Sequence, residues 1–162
     1  MVCMEAMRQM RVAWLEKGLQ SLHWLARKRG RTGNLPAHLA IGIEGEDAVL
    51  FYLQRKGYTV VARRWSSGDV PGDVDLIAWN GPMLCFIEVK TRTREDFGRP
   101  FAAVDREKRK RISRGALAWL RMLENPDILF RFDVVEVIVA EDTQPRVELI
   151  KNAFPLSKPY LY

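Results

Sequence analysis

Hydrophobic residues recur along the chain with two different periods, and the switches between them divide it into elements. In residues 4–29, Val12, Leu15, Leu19, Leu22 and Ala26 return at three- and four-residue steps, the signature of an amphipathic helix. That segment runs into Arg27-Lys28-Arg29-Gly30-Arg31 and is broken by Thr32-Gly33-Asn34-Leu35-Pro36. Glu16 and Lys17 interrupt its apolar stretch, which argues against a secretory signal. Residues 1–40 therefore read as a packing or tethering helix with a linker, ahead of a compact domain over 41–162. Within that domain, residues 43–56 predict a helix stopped by Gly57, and 58–65 a strand rich in β-branched and aromatic residues. Gly68, Pro71 and Gly72 mark a loop. Residues 73–79 and 83–90 predict two strands around Asn80-Gly81, a strong hairpin signal. Residues 105–123 predict a helix with Asp105 as N-cap and a stripe of Ile112, Ala116, Trp119, Leu120 and Leu123. After the Asn125-Pro126 stop, 132–140 and 146–151 predict the last strands. Helix, three strands, helix, two strands is the order of an α/β domain whose mixed sheet is covered by helices.

Composition adds little to the fold but narrows the partners. The 162 residues allow about one domain. With 48% apolar and 28% charged residues, the chain is neither disordered nor fibrous. No apolar run approaches the ~20 residues that cross a bilayer, so no membrane partner is expected. The cysteines, Cys3 and Cys85, are far apart and fit no metal spacing, which points to a reducing cytosol and a cytoplasmic protein. The net charge of +6 is uneven: residues 1–40 carry +5, 41–90 carry −2, 91–115 carry +5 and 116–162 carry −2. Two basic blocks flank an acidic segment, as a protein holding both phosphates and a metal would require.

The acids themselves fall in unusual places. Alternation along the two hairpin strands puts Val74, Leu76, Ala78, Met83, Cys85, Ile87 and Val89 on one face. Asp73, Asp75, Ile77, Leu84, Phe86, Glu88 and Lys90 take the other. A register with Ala78 opposite Met83 sets Asp75 opposite Phe86 and Asp73 opposite Glu88, making Asp75 and Glu88 diagonal neighbours. Two like charges ~4 Å apart at an effective dielectric of ~20 repel by about 4 kcal/mol, against a domain stability of only ~5–15 kcal/mol. A bound cation, a raised pKa or open solvent must offset that cost, and hard oxygen ligands select Mg²⁺, Mn²⁺ or Ca²⁺. The plain alternative is that these acids sit at strand ends in water and Lys90 simply pairs with Glu88. Glu46 lies on the helical face of Val49, Leu50 and Leu53 and would point toward the sheet. Glu44 fits the other apolar side, with Ala48, Phe51 and Tyr52, so periodicity does not choose between the two.

Taken together, Gly45-Glu46, Gly57-Tyr58, Gly72-Asp73-Val74-Asp75-Leu76-Ile77-Ala78 and Phe86-Ile87-Glu88-Val89-Lys90-Thr91-Arg92 resemble the YraN-type family of uncharacterised proteins. That family belongs to the PD-(D/E)xK nuclease superfamily and has relatives among Holliday-junction resolvases. The likeness continues through Phe97-Gly98-Arg99-Pro100, Ala103-Val104-Asp105, Lys108-Arg109, Arg131-Phe132-Asp133-Val134-Val135-Glu136 and Asn152-Ala153-Phe154, covering roughly 43–154. It implies a restriction-endonuclease-like three-layer core, a central mixed sheet flanked by helices. It also implies a metal-dependent endonuclease acting on phosphodiester bonds of a nucleic acid, with DNA the expected partner, branched or repair-intermediate DNA one form of it, and a homodimer the assembly of resolvase relatives. By the same resemblance, Asp75 and Glu88 hold Mg²⁺ or Mn²⁺, Glu46 completes the site and Lys90 serves the attacking water. Arg92, Arg99, Lys108, Arg109 and Arg111 are candidate phosphate contacts. Two positions depart from the family pattern: Asp73 stands for the usual glutamate, and Pro71-Gly72 for paired glycines. A non-catalytic nucleic-acid-binding protein that keeps the fold is the rival reading, and a partner-binding protein working through the helix over 4–29 is another.

Overall fold

The apolar periods become two helices and five strands in the computed structural model, which describes residues 37–68, 72–93, 104–139 and 144–157. The expected helix over 4–29, and Arg99, lie outside the described residues. In chain order the elements are α1 (Ala37–Arg55), β1 (Thr59–Ser66), β2 (Asp73–Asn80), β3 (Met83–Arg92), α2 (Arg106–Met122), β4 (Phe130–Ile138) and β5 (Arg146–Phe154).

Both helices end through their own backbone chemistry. At the end of α1, Gly57 takes φ +84°, its N–H donates to the Gln54 carbonyl, and the Tyr58 N–H donates to the Leu53 carbonyl. This is the paired closure that a left-handed residue after a helix permits. At the start of α2, Asp105 is the N-cap, accepting the Lys108 N–H at 2.8 Å. Beyond α2, Glu124 and Asn125 adopt positive φ, and the Asn125 N–H donates to the Leu120 carbonyl.

The strands form one sheet in the order β1-β2-β3-β4-β5. Only β3 and β4 run parallel, because α2 carries the chain across the sheet between them. Val49 and Leu53 of α1 pack with Tyr58, Leu76, Ala78, Cys85, Ile87, Val135 and Val137. On the opposite face, Ile112, Ala116 and Leu120 of α2 pack with Ile77, Leu84, Phe86, Phe132, Val134 and Phe154. Each fully buried Val, Leu, Ile or Phe side chain among these contributes about 1.5–3 kcal/mol of transfer free energy. The result is the restriction-endonuclease-like three-layer α/β core that the resemblance implied. Trp65 and Trp119 meet edge to face at 5.4 Å beside the α2 cluster, as packing groups.

Three expectations are corrected. The hairpin loop is Gly81-Pro82, so Asn80 pairs with Met83 and Ala78 with Cys85, two residues from the expected register. Gly81 supplies the positive φ at the first loop position, and the Pro82 ring sets the negative φ that follows. A shift of two by itself keeps side chains on their faces up to Leu76–Ile87, and counting on from that last pair brings Asp75 opposite Glu88 instead of diagonal to it. Second, Val74 leaves the face of Leu76 and joins Ile77 in the α2 cluster. Regular β2–β3 pairing stops at Leu76–Ile87, and strand alternation is lost with it. Third, β5 reaches Phe154 instead of ending at 151. Asn152 turns through φ +52° and donates its N–H to the buried Asp133 carboxylate at 2.8 Å, so pairing resumes at Phe132–Phe154.

Candidate active site

The centre of the site is the point where β2 and β3 part. The Asp75 carboxylate accepts the Val89 N–H at 2.7 Å, one step beyond the last regular pair. Burial, and then the charge of Glu88, push the Asp75 pKa up to about 7. Glu88 is itself 3% exposed. The charge of a buried Glu88 thus acts on a half-buried Asp75, the juxtaposition the hairpin pattern foresaw.

Basic side chains surround this pair. Lys90 Nζ lies 3.0 Å from Glu88 Oε1, and Lys108 Nζ lies 3.1 Å from Oε2. Lys108 also bonds Asp73 Oδ2 at 2.8 Å, and Arg111 Nε stands 3.8 Å from Asp73 Oδ1. The Lys108 side chain is only 12% exposed. Burial by itself would lower its pKa, but the bond to Asp73 and the charges of Glu88 and Asp75 win and raise it. Asp73 mirrors this: burial would raise it, and Lys108 holds it below the usual carboxylate range. The Glu88 Oε2 contact is an ion pair by distance but not a hydrogen bond by geometry, so that buried oxygen has no hydrogen-bond donor among the described residues.

Glu46 is close by but otherwise engaged. Gly45 lets α1 approach β3 closely, since a Cβ there would fall 2.2 Å from Thr91 Oγ1 and 2.9 Å from Val137 Cγ1. Glu46 Oε2 then accepts a 2.7 Å bond from Arg64 Nε, and Asp47 pairs with Arg63. Two consecutive arginines on a strand should point to opposite faces. They both reach α1 here because Arg64 has φ +46°. Arg64 stands between the Arg63–Leu76 and Trp65–Val74 pairs, across from Asp75. Glu46 raises the Arg64 pKa through that bond, and Asp75 adds to it. The adjacent Arg63-Arg64 was the sequence signal for this contact, and alternation hid it.

The remaining basic candidates are mostly turned inward. Arg92 pairs with Glu136 at 3.3 Å. Arg109 donates to the Val104 carbonyl at 2.6 Å and lies over the Phe154 ring. Arg111, 52% exposed, is the most open of the described candidates. At the Asn80 end of the sheet, a separate network joins Arg131 to Asp133 at 2.8 Å and to Tyr58 Oη at 2.9 Å. Burial pushes both Tyr58 and Cys85 up to about 12.

Among the described residues, no three His, Cys, Asp or Glu side chains converge as a metal-binding group. Asp75 and Glu88 nevertheless suit a hard divalent ion: two adjacent carboxylates, one with a buried unsatisfied oxygen. Mg²⁺ commonly takes one or two carboxylates and keeps several waters. Glu46, held by Arg64, could join only after releasing it or through water. Among the described residues, no helix is long and apolar enough to cross a membrane.

A model of the uncharacterised protein family UPF0102 matches residues 45–137, a span that holds Glu46, Asp75, Glu88, Lys90 and Lys108. A UPF0102 protein of Koribacter versatilis is 43% identical over 123 residues, 75% of this chain and 84% of that protein. One from Solibacter usitatus is 42% identical over 110 residues, 68% and 82% of the two chains. One from Geobacter sulfurreducens is 39% identical over 117 residues, 72% and 90%. These names carry the family designation and state no activity.

Proposed function

The chain belongs to the uncharacterised protein family UPF0102, and from that premise and the Asp75–Glu88 pair we propose that it is a metal-dependent endonuclease cutting phosphodiester bonds in nucleic acid, with branched or repair-intermediate DNA among the substrates to test. The observation that carries this reading is a carboxylate pair at the fork between β2 and β3, Asp75 pushed up to about 7 by burial and by the charge of Glu88. Such a pair is costly to a protein that makes no use of it.

Asp75 and Glu88 would hold Mg²⁺ or Mn²⁺, with Glu46 contributing directly or through water. The ion would supply Lewis-acid stabilisation of phosphate charge and a lowered pKa for water. Lys90 keeps its ammonium at the Glu88 carboxylate and is 36% exposed, so it faces both the acids and an incoming phosphate. There it orients the attacking water and offsets negative charge on the phosphate. Arg111, at the open rim, contacts the nucleic-acid backbone without reading bases.

The test is a panel of branched, flapped, single-stranded and duplex DNA and RNA, incubated with Mn²⁺ and the purified chain beside Asp75→Ala and Lys90→Ala. Cleavage by the wild type and by neither variant is expected. Equal cleavage by all three would assign the activity to a contaminant and remove the reading. Salt-sensitive binding without cutting on any substrate would favour the non-catalytic binding protein.

A further inference from the structure

We propose that Lys108 is a positioning residue of the acid centre, an internal counter-ion that holds the carboxylates in place until a divalent cation displaces it. The inference rests on the reading of Asp75 and Glu88 as cation ligands. Family motifs suggested Lys108 only as a phosphate contact on a helix surface. Its actual surroundings are different.

The backbone of Lys108 is fixed, because its N–H is the one bonded by the Asp105 cap. From there the side chain enters the sheet and is almost fully covered. It meets Asp73 Oδ2 at 2.8 Å and Glu88 Oε2 at 3.1 Å, with Asp75 the third carboxylate in its field. A buried ammonium with two carboxylates is the charge balance a bound cation would otherwise provide.

The two contacts are unequal, and this inequality carries the inference. The bond to Asp73 has hydrogen-bond geometry, whereas the contact to Glu88 Oε2 does not. Glu88 is nine-tenths buried and more, and its Oε2 has no directed donor. Lys108 therefore satisfies the charge of Glu88 while leaving the lone pair of that oxygen open. A divalent ion supplies both charge and a directed acceptor site, so it replaces Lys108 at Glu88. Asp73 keeps the ammonium nearby and prevents its loss to bulk water. Asp73 in place of the longer family glutamate matches this role, since its carboxylate stays beside Lys108.

Two measurements on the full chain test this, both using Mn²⁺ alone. The first is calorimetric Mn²⁺ binding by wild type, Asp75→Asn, Lys108→Met and Lys108→Arg. Removing the competing charge should tighten Mn²⁺ binding about tenfold in Lys108→Met, by loss of one cation from a poorly screened site. Lys108→Arg, which keeps the charge, should stay near the wild-type affinity. The second needs no variant: trace acetylation of the wild type, read by mass spectrometry, with exposed Lys56 as reference. Acetylation of Lys108 relative to Lys56 should rise several-fold on saturation with Mn²⁺, as the amine leaves its acids. If wild-type binding is lost in Asp75→Asn but Lys108→Met is no tighter and the labelling ratio is constant, the role of Lys108 is overturned and the metal centre stands. If no variant and no wild type binds Mn²⁺, both fall together.

Discussion

The Asp75 carboxylate accepts the Val89 N–H at 2.7 Å, in place of a further rung between β2 and β3. A buried backbone donor must find a partner, and here a side chain supplies it where the ladder ends. On the other side of β2, Arg64 turns through φ +46° across from Asp75. β2 is thus released from β3 at the residue that forms the site, while its pairing with β1 runs on through Trp65–Val74 and Ser66–Asp73.

This geometry separates two substitutions that are often treated as equivalent. Asp75→Asn keeps an acceptor for the Val89 N–H and removes the charge facing Glu88. It should melt above the wild type in chelator at about pH 8, where the wild-type carboxylate is ionised. Asp75→Ala leaves the N–H without its partner and should cost about 1–3 kcal/mol. Urea unfolding of the three proteins in chelator checks the order; a less stable Asn variant would contradict it.

The pH dependence of the ion-free protein follows from the same group. Asp75 is faced by Glu88, Lys108 and the Val89 N–H, with Arg64 across the strand. Its folded pKa is raised to about 7 from 3.8. Between those values the folded chain holds a proton that the unfolded chain has lost, so this group's contribution to stability falls as pH rises. The difference in unfolding free energy between wild type and Asp75→Asn, measured at about pH 5, 6 and 8, should grow in favour of the variant. A difference independent of pH would show that Asp75 titrates normally.

Gly72 meets α2 at backbone distance. A Cβ on it would lie 2.6 Å from the Gly115 nitrogen and 3.0 Å from the Arg111 carbonyl. Neither can move without shifting the helix that carries Lys108. Gly72→Ala should therefore cost about 1–3 kcal/mol in unfolding free energy, the usual penalty for overpacking. It should also weaken Mn²⁺ binding, because Asp73 and Asp75 follow directly. Wild-type stability in that variant would mean that the close approach is not needed.

Asp133 offers a contrast away from the acid pair. It is fully buried, bonded to Arg131, and accepts the Asn152 N–H. Asp133→Ala leaves the Arg131 guanidinium without its carboxylate and the Asn152 N–H without an acceptor, at a cost of about 3–5 kcal/mol. Folded at low temperature, the variant should still bind Mn²⁺ with wild-type affinity. Loss of Mn²⁺ binding in a folded sample, verified by circular dichroism, would place Asp133 in the functional centre.

Local pattern by itself determined the order and type of the described elements, the faces of the hairpin from Leu76 to Ile87 and which acids stand out within it. Periods of two and 3.6, the Asp105 cap and the Gly57 stop act over a few neighbouring residues, and such information is written in sequence. The acids stood out for the same reason, as charges in strands that otherwise read as buried. Only the tertiary structure decided the register, because one proline after Gly81 moved the loop by a residue on each strand. It alone brought Arg64 to Glu46, since a left-handed residue reversed the alternation on which any strand reading depends. It alone set Lys108 between Asp73 and Glu88. On a helix remote in sequence, a lysine's partner is chosen by how α2 crosses the sheet, and that crossing is set by packing contacts such as Gly72 on Gly115. Charge could be counted along the chain, but which cation neutralises which buried carboxylate is a property of three-dimensional distance.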